Sequence, residues 1–190
     1  MPRDKRTLDL TTVVQAATAL VDEQGFEALT LGSLAAALGV KPPSLYNHVS
    51  GIDDVRRRVA QAVADRMSNA IRNAAVGRSE DDALRDLASA YRHFATSQRE
   101  LYRAFLATPS SGNDTPFDVV STTLKQVLAA YHLSAKAEND FIRILHSALY
   151  GFVALEIAGV FAHASDIDDS FTVLVDAQIS ILHGFKGAQS

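Results

Sequence analysis

Residues 30–49, TLGSLAAALGVKPPSLYNHV, constrain this chain more than any other stretch. They read as two short helices joined by a tight glycine turn. Thr30 stands where it caps the first helix, and Leu31, Leu34, Ala35 and Leu38 recur at the three-to-four spacing of one apolar face. Gly39 follows at the position where a left-handed residue stops a helix without a Cβ penalty. Pro42 and Pro43 fit only the first turn of a second helix, whose N–H groups have no intrahelical partner in any case. From there to Val49 is about 12 Å of helix at roughly 1.5 Å per residue.

The second helix sorts into faces. Leu45 and Val49, four apart, belong on one side and pack onto the first helix, which leaves Lys41, Pro42, Ser44, Asn47 and His48 for the solvent or the DNA. That layout is a helix-turn-helix, in which the second helix enters the major groove of DNA. On this reading Lys41 donates to guanine or phosphate, Pro42 touches a thymine methyl, and Ser44 and Asn47 hydrogen-bond base edges. Tyr46 and His48 grip phosphate, which fixes register without reading sequence. Thr30 completes the set expected at the DNA. On the residues alone, an ordinary helical hairpin whose outer face contacts protein is the alternative.

No stretch of the chain reads as a strand, so the expected fold is all-α with about nine helices. The first runs over Thr11–Gln24 with Val13, Val14, Ala17, Leu20 and Val21 inward. Ser50-Gly51 breaks the chain before a long helix over Asp53–Ala75, whose leading acids suit a positive helix N-terminus. Further helices are expected at Glu80–Ser97, Arg99–Ala107, Pro116–Tyr131, Ala135–Ala164 and Asp168–Phe185, with a loop from Pro109 to Pro116. The expected organisation is a head at 1–52, a connecting helix at 53–75 and a ligand-binding and dimerisation domain at 76–190.

Composition sets limits. The 190 residues, 47% hydrophobic, suffice for one sizeable core or a small head on a larger body. There is no cysteine, which excludes disulfides, thiolate metal sites and thiol catalysis. No run of about 18 apolar residues and no signal-peptide core is present, so a soluble, cytoplasmic protein with no membrane partner is expected. The net charge is −4, yet residues 1–75 carry nine basic and eight acidic groups while 76–190 carry nine and fourteen. Two basic clusters stand out in the N-terminal part: Arg3, Lys5 and Arg6, and the triplet Arg56, Arg57 and Arg58. The first reads equally as a DNA-binding arm or a solvated tail, and the triplet as interhelix ion pairs rather than DNA contacts.

The segment GVKPPSLYNHV, with Leu45, Tyr46, Asn47 and His48 at its core, resembles the turn and recognition helix of the TetR family of bacterial transcriptional repressors. Gly25-Phe26 and Ala28-Leu29-Thr30 fit the same pattern upstream, and the resemblance covers about the first 65 residues. It implies a homodimer whose two recognition helices sit in successive major grooves of a near-palindromic double-stranded operator. It also implies release from DNA when a small-molecule effector enters the C-terminal domain. Two departures are visible. Leu31-Gly32 stands where many members read a base with arginine, and Ile52-Asp53-Asp54 where many hold a phosphate with lysine. The C-terminal half is similar to a subgroup marked by a Trp-x-x-x-His-Gly signature. Of its three residues only Gly151 remains, while Leu155-Glu156 and Phe171 keep their places.

Between Phe141 and Ala164 the sequence is apolar nearly all round, which a surface helix cannot be. Its small residues, among them Gly151, Ala154, Ala158, Gly159 and Ala162, permit close helix approach, and Phe171, Leu174, Val175 and Leu182 offer a matching stripe on the last helix. Two such helices from each subunit make a four-helix dimer interface. Aromatic groups concentrate in the same half, so an apolar or aromatic effector is expected against Tyr91, Phe94, Tyr102, Phe105, Phe117, His146, Tyr150 and Glu156. Glu156 reads either as a ligand or interface contact or as a structural ion pair, since a buried carboxylate needs a partner. No HExxH, glycine-rich phosphate loop or nucleophile elbow accompanies the histidines, so neither catalysis nor a metal or other cofactor is expected. The functional expectation is a ligand-responsive, DNA-binding transcriptional regulator acting as a repressor. The alternative is a helical small-molecule-binding or protein-interaction module with a degenerate head.

Overall fold

A computed structural model describes residues 8–78, 80–108, 116–161 and 166–187, and all regular structure among them is helical. The first helix, α1 (Leu10–Gln24), is capped by Asp9, whose carboxylate accepts the Thr12 N–H at 2.7 Å. It buries Val13, Ala17, Leu20 and Val21, and Gly25 ends it at φ 86°. A short 3-10 turn, Phe26–Ala28, leads to α2 (Leu31–Leu38). Here Thr30 and Ser33 form a reciprocal capping box, each side-chain oxygen accepting the other's backbone N–H at 3.0 Å. Gly39, left-handed at φ 68°, then closes α2 in a Schellman motif, with the Val40 N–H bonding Ala35 O and the Gly39 N–H bonding Ala36 O.

Pro42–Asn47 forms a 3-10 helix rather than the expected α-helix. Lys41, the residue before the first proline, is extended at ψ 143°, and the two prolines fill the first two positions of the segment, where their missing N–H groups would have had no partner within the helix. The Ser44 N–H bonds Lys41 O and the His48 N–H bonds Leu45 O, both over three residues. At about 2.0 Å per residue, six residues still span roughly 12 Å.

The remaining helices are α3 (Ile52–Ala75), α4 (Glu80–Ser97), α5 (Arg99–Ala107), α6 (Pro116–Leu128), α7 (Ala135–Ile157) and α8 (Ile167–Gly187). Along α3, Val55, Val59, Val63, Met67 and Ile71 recur every fourth residue and all are fully buried. A 3-10 turn, Ala129–Tyr131, closes α6, and Ser134 caps α7 by accepting the Ala137 N–H. Helix α7 stops at Ile157, short of the expected Ala164. Gly159 turns left-handed at φ 72°, and Val160 and Gly159 donate back to Leu155 O and Glu156 O in a second Schellman motif. Asp166 opens α8 by accepting the Asp168 N–H.

The packing divides into two units, one of Met1–Ala64 with Gln98–Pro116, the other of Asp65–Ser97 with Phe117–Ser190. In the first, α1 packs against α2 and α5, and α2 against the 3-10 helix that follows it. Leu29, Leu34, Leu45, Val49 and Leu101 are buried there. In the second, α4, α7 and α8 pack pairwise, burying Leu84, Leu87, Tyr91, Phe141, Leu145, Leu149 and Leu182. Ring contacts of Phe152 and Phe141 with Phe171 and Phe185, centroids 5.2 and 6.5 Å apart, pair α7 and α8 in antiparallel register. Each such side chain removed from water contributes about 1.5–3 kcal/mol.

Candidate functional site

The helix-turn-helix is built from the expected residues. Leu45 and Val49 are buried, the 3-10 helix that carries Leu45 packs against α2, and Lys41, Pro42, Tyr46 and Asn47 are exposed, with Ser44 and His48 half-buried. Tyr46 leaves 61% of its surface in water, unusual for a large ring with no covering partner. The 3-10 winding changes which residues align. With three residues per turn, Ser44 stands over Asn47 and Pro43 over Tyr46. Two polar groups suited to base edges therefore share one edge, while Tyr46 projects from the next. The Thr30 hydroxyl is engaged by Ser33 in the α2 cap.

Around this segment most cations are already paired. Arg56 lies over the Phe26 ring at 5.2 Å and 3.9 Å from Asp53. Arg57 and Arg58 both reach Asp54, at 3.4 and 3.1 Å, and Asp54 also accepts the Ser50 N–H at 3.0 Å. Burial pushes the Asp54 carboxyl up, but the Ser50 N–H and the two guanidiniums outweigh it and hold the group below the usual carboxylate range. The triplet thus forms ion pairs on its own helix. The basic cluster Arg3, Lys5 and Arg6 lies outside the described residues.

The residues expected around an effector fall in both units. Tyr91, Phe94, His146, Tyr150 and Glu156 belong to the second unit, whereas Tyr102 and Phe105 lie on α5, which packs on α1 in the first. The Phe117 side chain is outside the described residues. An amphipathic helix shows which face it buries but not which core it joins. His146 sits with its ring 6.3 Å from those of both Tyr91 and Tyr150, and burial lowers its pKa. Two buried polar atoms of the second unit, Ser68 Oγ and Gln178 Oε1, have no hydrogen-bond partner among the described residues.

Glu156 is in an ion pair with Arg92, through Nε–Oε2 and Nη2–Oε1 contacts of 2.7 Å each. Arg92 Nη1 reaches Asp168 at 2.7 Å, and its guanidinium faces the Phe171 and Phe152 rings at 4.8 and 5.7 Å. A cavity of about 260 Å³ lies over this group, lined by Ser89, Arg92, His93, Thr96, Glu156, Asp168 and Phe171. Sequence reasoning missed Arg92, although its place beside Ala88, Tyr91 and Ala95 on the inward face of α4 marks it as a charge in need of a partner. It also missed Asp81, which accepts the Tyr131 hydroxyl at 3.0 Å and contacts His183 Nε2 at 3.0 and 3.1 Å, joining α4 to α8.

Exposed apolar groups gather on α7 and α8. Tyr150, Leu155, Val173 and Ile181 are exposed, Gly151, Ala154 and Leu174 half-buried. Nothing lies within 4 Å of the Cβ position at Gly151 or Gly184. Phe171, Val175 and Leu182, expected at a dimer interface, are instead buried within the chain itself. The outward stripe of α8 is Val173, Ala177, Ile181 and Gly184. Ala158 and Gly159 lie past the end of α7 and are exposed, and Ala162 is outside the described residues. No helix among the described residues is long and apolar enough to cross a membrane.

Comparison with known proteins places these features. Residues 13–59 match the model of the "Bacterial regulatory proteins, tetR family", and residues 84–178 that of the "Tetracyclin repressor-like, C-terminal domain". The uncharacterised HTH-type transcriptional regulator Rv0681 of Mycobacterium tuberculosis is 36% identical over 170 residues, covering 86% of this chain and 77% of that protein. In fold the chain is similar to apo ActR from Streptomyces coelicolor, with a TM-score of 0.78, 17% identity, and 98% of this chain and 100% of that one covered. It is also similar to a TetR variant from Acinetobacter baumannii AYE solved with minocycline, with a TM-score of 0.68, 24% identity, and 97% and 99% covered. The head model spans the helix-turn-helix described above, the second model runs from within α4 through α5, α6 and α7 into α8, and the relatives are regulators rather than enzymes. The chain belongs to the tetR family of bacterial transcriptional regulators.

Proposed function

We propose that the protein is a ligand-responsive repressor that binds a near-palindromic operator as a homodimer and is released by a small apolar or aromatic molecule. The observation that carries this reading is the exposed edge of the recognition segment. Lys41, Pro42, Ser44, Tyr46, Asn47 and His48 are held outward by buried Leu45 and Val49, with Tyr46 uncovered. Ser44 and Asn47 address base edges, and Lys41, Tyr46 and His48 the phosphates. Dimerisation through α7 and α8 is supported by the exposed Tyr150, Leu155, Val173 and Ile181 beside open glycines. An effector site in the second unit is supported by the Tyr91–His146–Tyr150 ring set and by the unpartnered Ser68 and Gln178 oxygens, which a ligand donor would satisfy. Neighbours in fold have been solved in complex with minocycline and with (S)-DNPA.

The test is fluorescence anisotropy on DNA flanking the protein's own gene, with random duplex as competitor, across salt. Selective binding at two protomers per site that weakens with salt supports the reading. Binding no tighter than to random DNA over several candidate flanks counts against a working readout, and favours a degenerate head with the function in the second unit.

A further inference from the structure

We propose that Asp54 is a positioning residue for DNA binding, anchoring the exit of the recognition segment and withholding Arg57 and Arg58 from the phosphate backbone. The inference rests on the DNA-binding reading of the head and concerns how that head favours selective over indiscriminate binding.

Three contacts meet at one carboxylate. Oδ2 accepts the Ser50 N–H at 3.0 Å, and Oδ1 takes Arg58 Nε at 3.1 Å and Arg57 Nη2 at 3.4 Å. Ser50 is the first residue beyond Val49, whose buried side chain closes the recognition segment, and it is followed by Gly51 at φ 138° with nothing within 4 Å of its Cβ position. The backbone there has no side-chain packing of its own at Gly51, so the Asp54 contact sets where the segment leaves the groove. The Asp54 side chain is only 12% exposed, while Arg57 and Arg58 are 61% and 39% exposed. Both cations therefore face water, held by the same carboxylate that accepts the Ser50 N–H just past the recognition segment.

Asp54 engages one nitrogen of each guanidinium and offsets the charge of both, so a phosphate approaching either arginine meets a cation already shared with an anion. Phosphate contacts add affinity for every sequence and carry no base information. Occupying the two guanidiniums internally therefore lowers sequence-independent binding more than it lowers readout by Ser44 and Asn47. Asp53 supplies the internal comparison. It carries the same charge one residue earlier but is exposed, and among the described residues it meets only Arg56, at 3.9 Å.

The experiment measures anisotropy of full-length wild type, Asp54→Asn, Asp53→Asn and the triple variant Asp54→Asn/Arg57→Ala/Arg58→Ala. Each is titrated on the gene-flanking duplex and on a random duplex over a salt series. For Asp54→Asn the expected result is tighter binding to random duplex and a narrower preference for the flank. Its plot of log K against log salt should steepen by about 1 per head, the yield of roughly one added phosphate contact. Asp53→Asn should give a smaller change, and the triple variant should lose the gain. Asp54→Glu, which keeps the charge, should restore the wild-type slope, separating the effect from local unfolding followed by circular dichroism. A slope for Asp54→Asn equal to that of wild type or Asp53→Asn overturns the proposal and leaves DNA binding standing. Failure of wild type and Asp54→Asn alike to bind any duplex overturns both.

Discussion

Arg92 and Glu156, 64 residues apart in sequence, meet side-on through two 2.7 Å contacts, and the guanidinium that makes them lies against the face of Phe171. This joins the inward edge of α4 to the last turns of α7, and a third contact to Asp168 brings in the first turn of α8. Both partners are mostly buried, with side chains 15% and 17% exposed, so removal of either leaves a charge poorly solvated.

Arg92→Met should therefore destabilise the protein by about 2–3 kcal/mol, below the full cost of breaking a deeply buried pair because water still reaches this one. The double variant Arg92→Met/Glu156→Leu should recover most of that loss, since an apolar pair has no stranded charge. Urea unfolding of the three proteins checks this. Equal instability of the single and double variants would show that the arginine acts through packing on Phe152 and Phe171 alone.

Local signals made the head legible and left the body only partly so. Gly39, the proline pair and the Leu45–Val49 spacing act within a few residues, and the structure places each as expected. The 3-10 winding was not legible, because six residues are too few for a period of 3.0 to separate from 3.6. Gly159 carried its own signal as a helix stop, yet read as one rung of a ladder of small residues. On α8 the problem was different. Phe171 and Val173 are both apolar and two residues apart, and nothing local tells which of the two faces the core of its own chain. The Arg92–Glu156 pair and the α5 packing are tertiary facts.

The α8 surface gives a direct test of the proposed dimer. Val173→Glu with Ile181→Glu should convert a dimer to a monomer with unchanged helicity, because both side chains are exposed in the protomer. Phe171→Ala should instead cost about 3–5 kcal/mol of folding stability through the cavity it leaves. Light scattering after size exclusion, paired with thermal melts, separates the two. A Val173→Glu/Ile181→Glu protein that remains dimeric places the interface elsewhere.

His146 predicts a pH dependence with a definite sign. Burial holds its folded-state pKa below the ordinary 6.5, so the unfolded chain takes up the proton first as pH falls. Its contribution is complete above the ordinary value and is lost as pH drops from there through the folded-state value. Wild type should lose stability between pH 7.5 and about 5.5. His146→Gln, which cannot titrate, should lose less over the same interval. Denaturant midpoints at the two pH values provide the comparison, and parallel losses in both proteins would assign the acid sensitivity to other groups.

Tyr46 and Asn47 are adjacent and both exposed, but the 3-10 winding points them differently, and their proposed roles diverge accordingly. Asn47 stands over Ser44 on the edge read as base-facing, where an amide hydrogen-bonds a base in a way its neighbours cannot copy. Asn47→Ala should reduce discrimination at one base pair by about 1–3 kcal/mol while leaving affinity for random duplex almost unchanged. Tyr46 projects from the next edge with a single hydroxyl suited to phosphate, so Tyr46→Phe should weaken flank and random DNA by the same factor. Anisotropy against a panel of single-base-pair variants of the bound flank resolves the two behaviours. If Asn47→Ala loses equally on flank and random duplex, Asn47 is a backbone contact, and sequence preference must come from Ser44, Lys41 or the shape of the DNA.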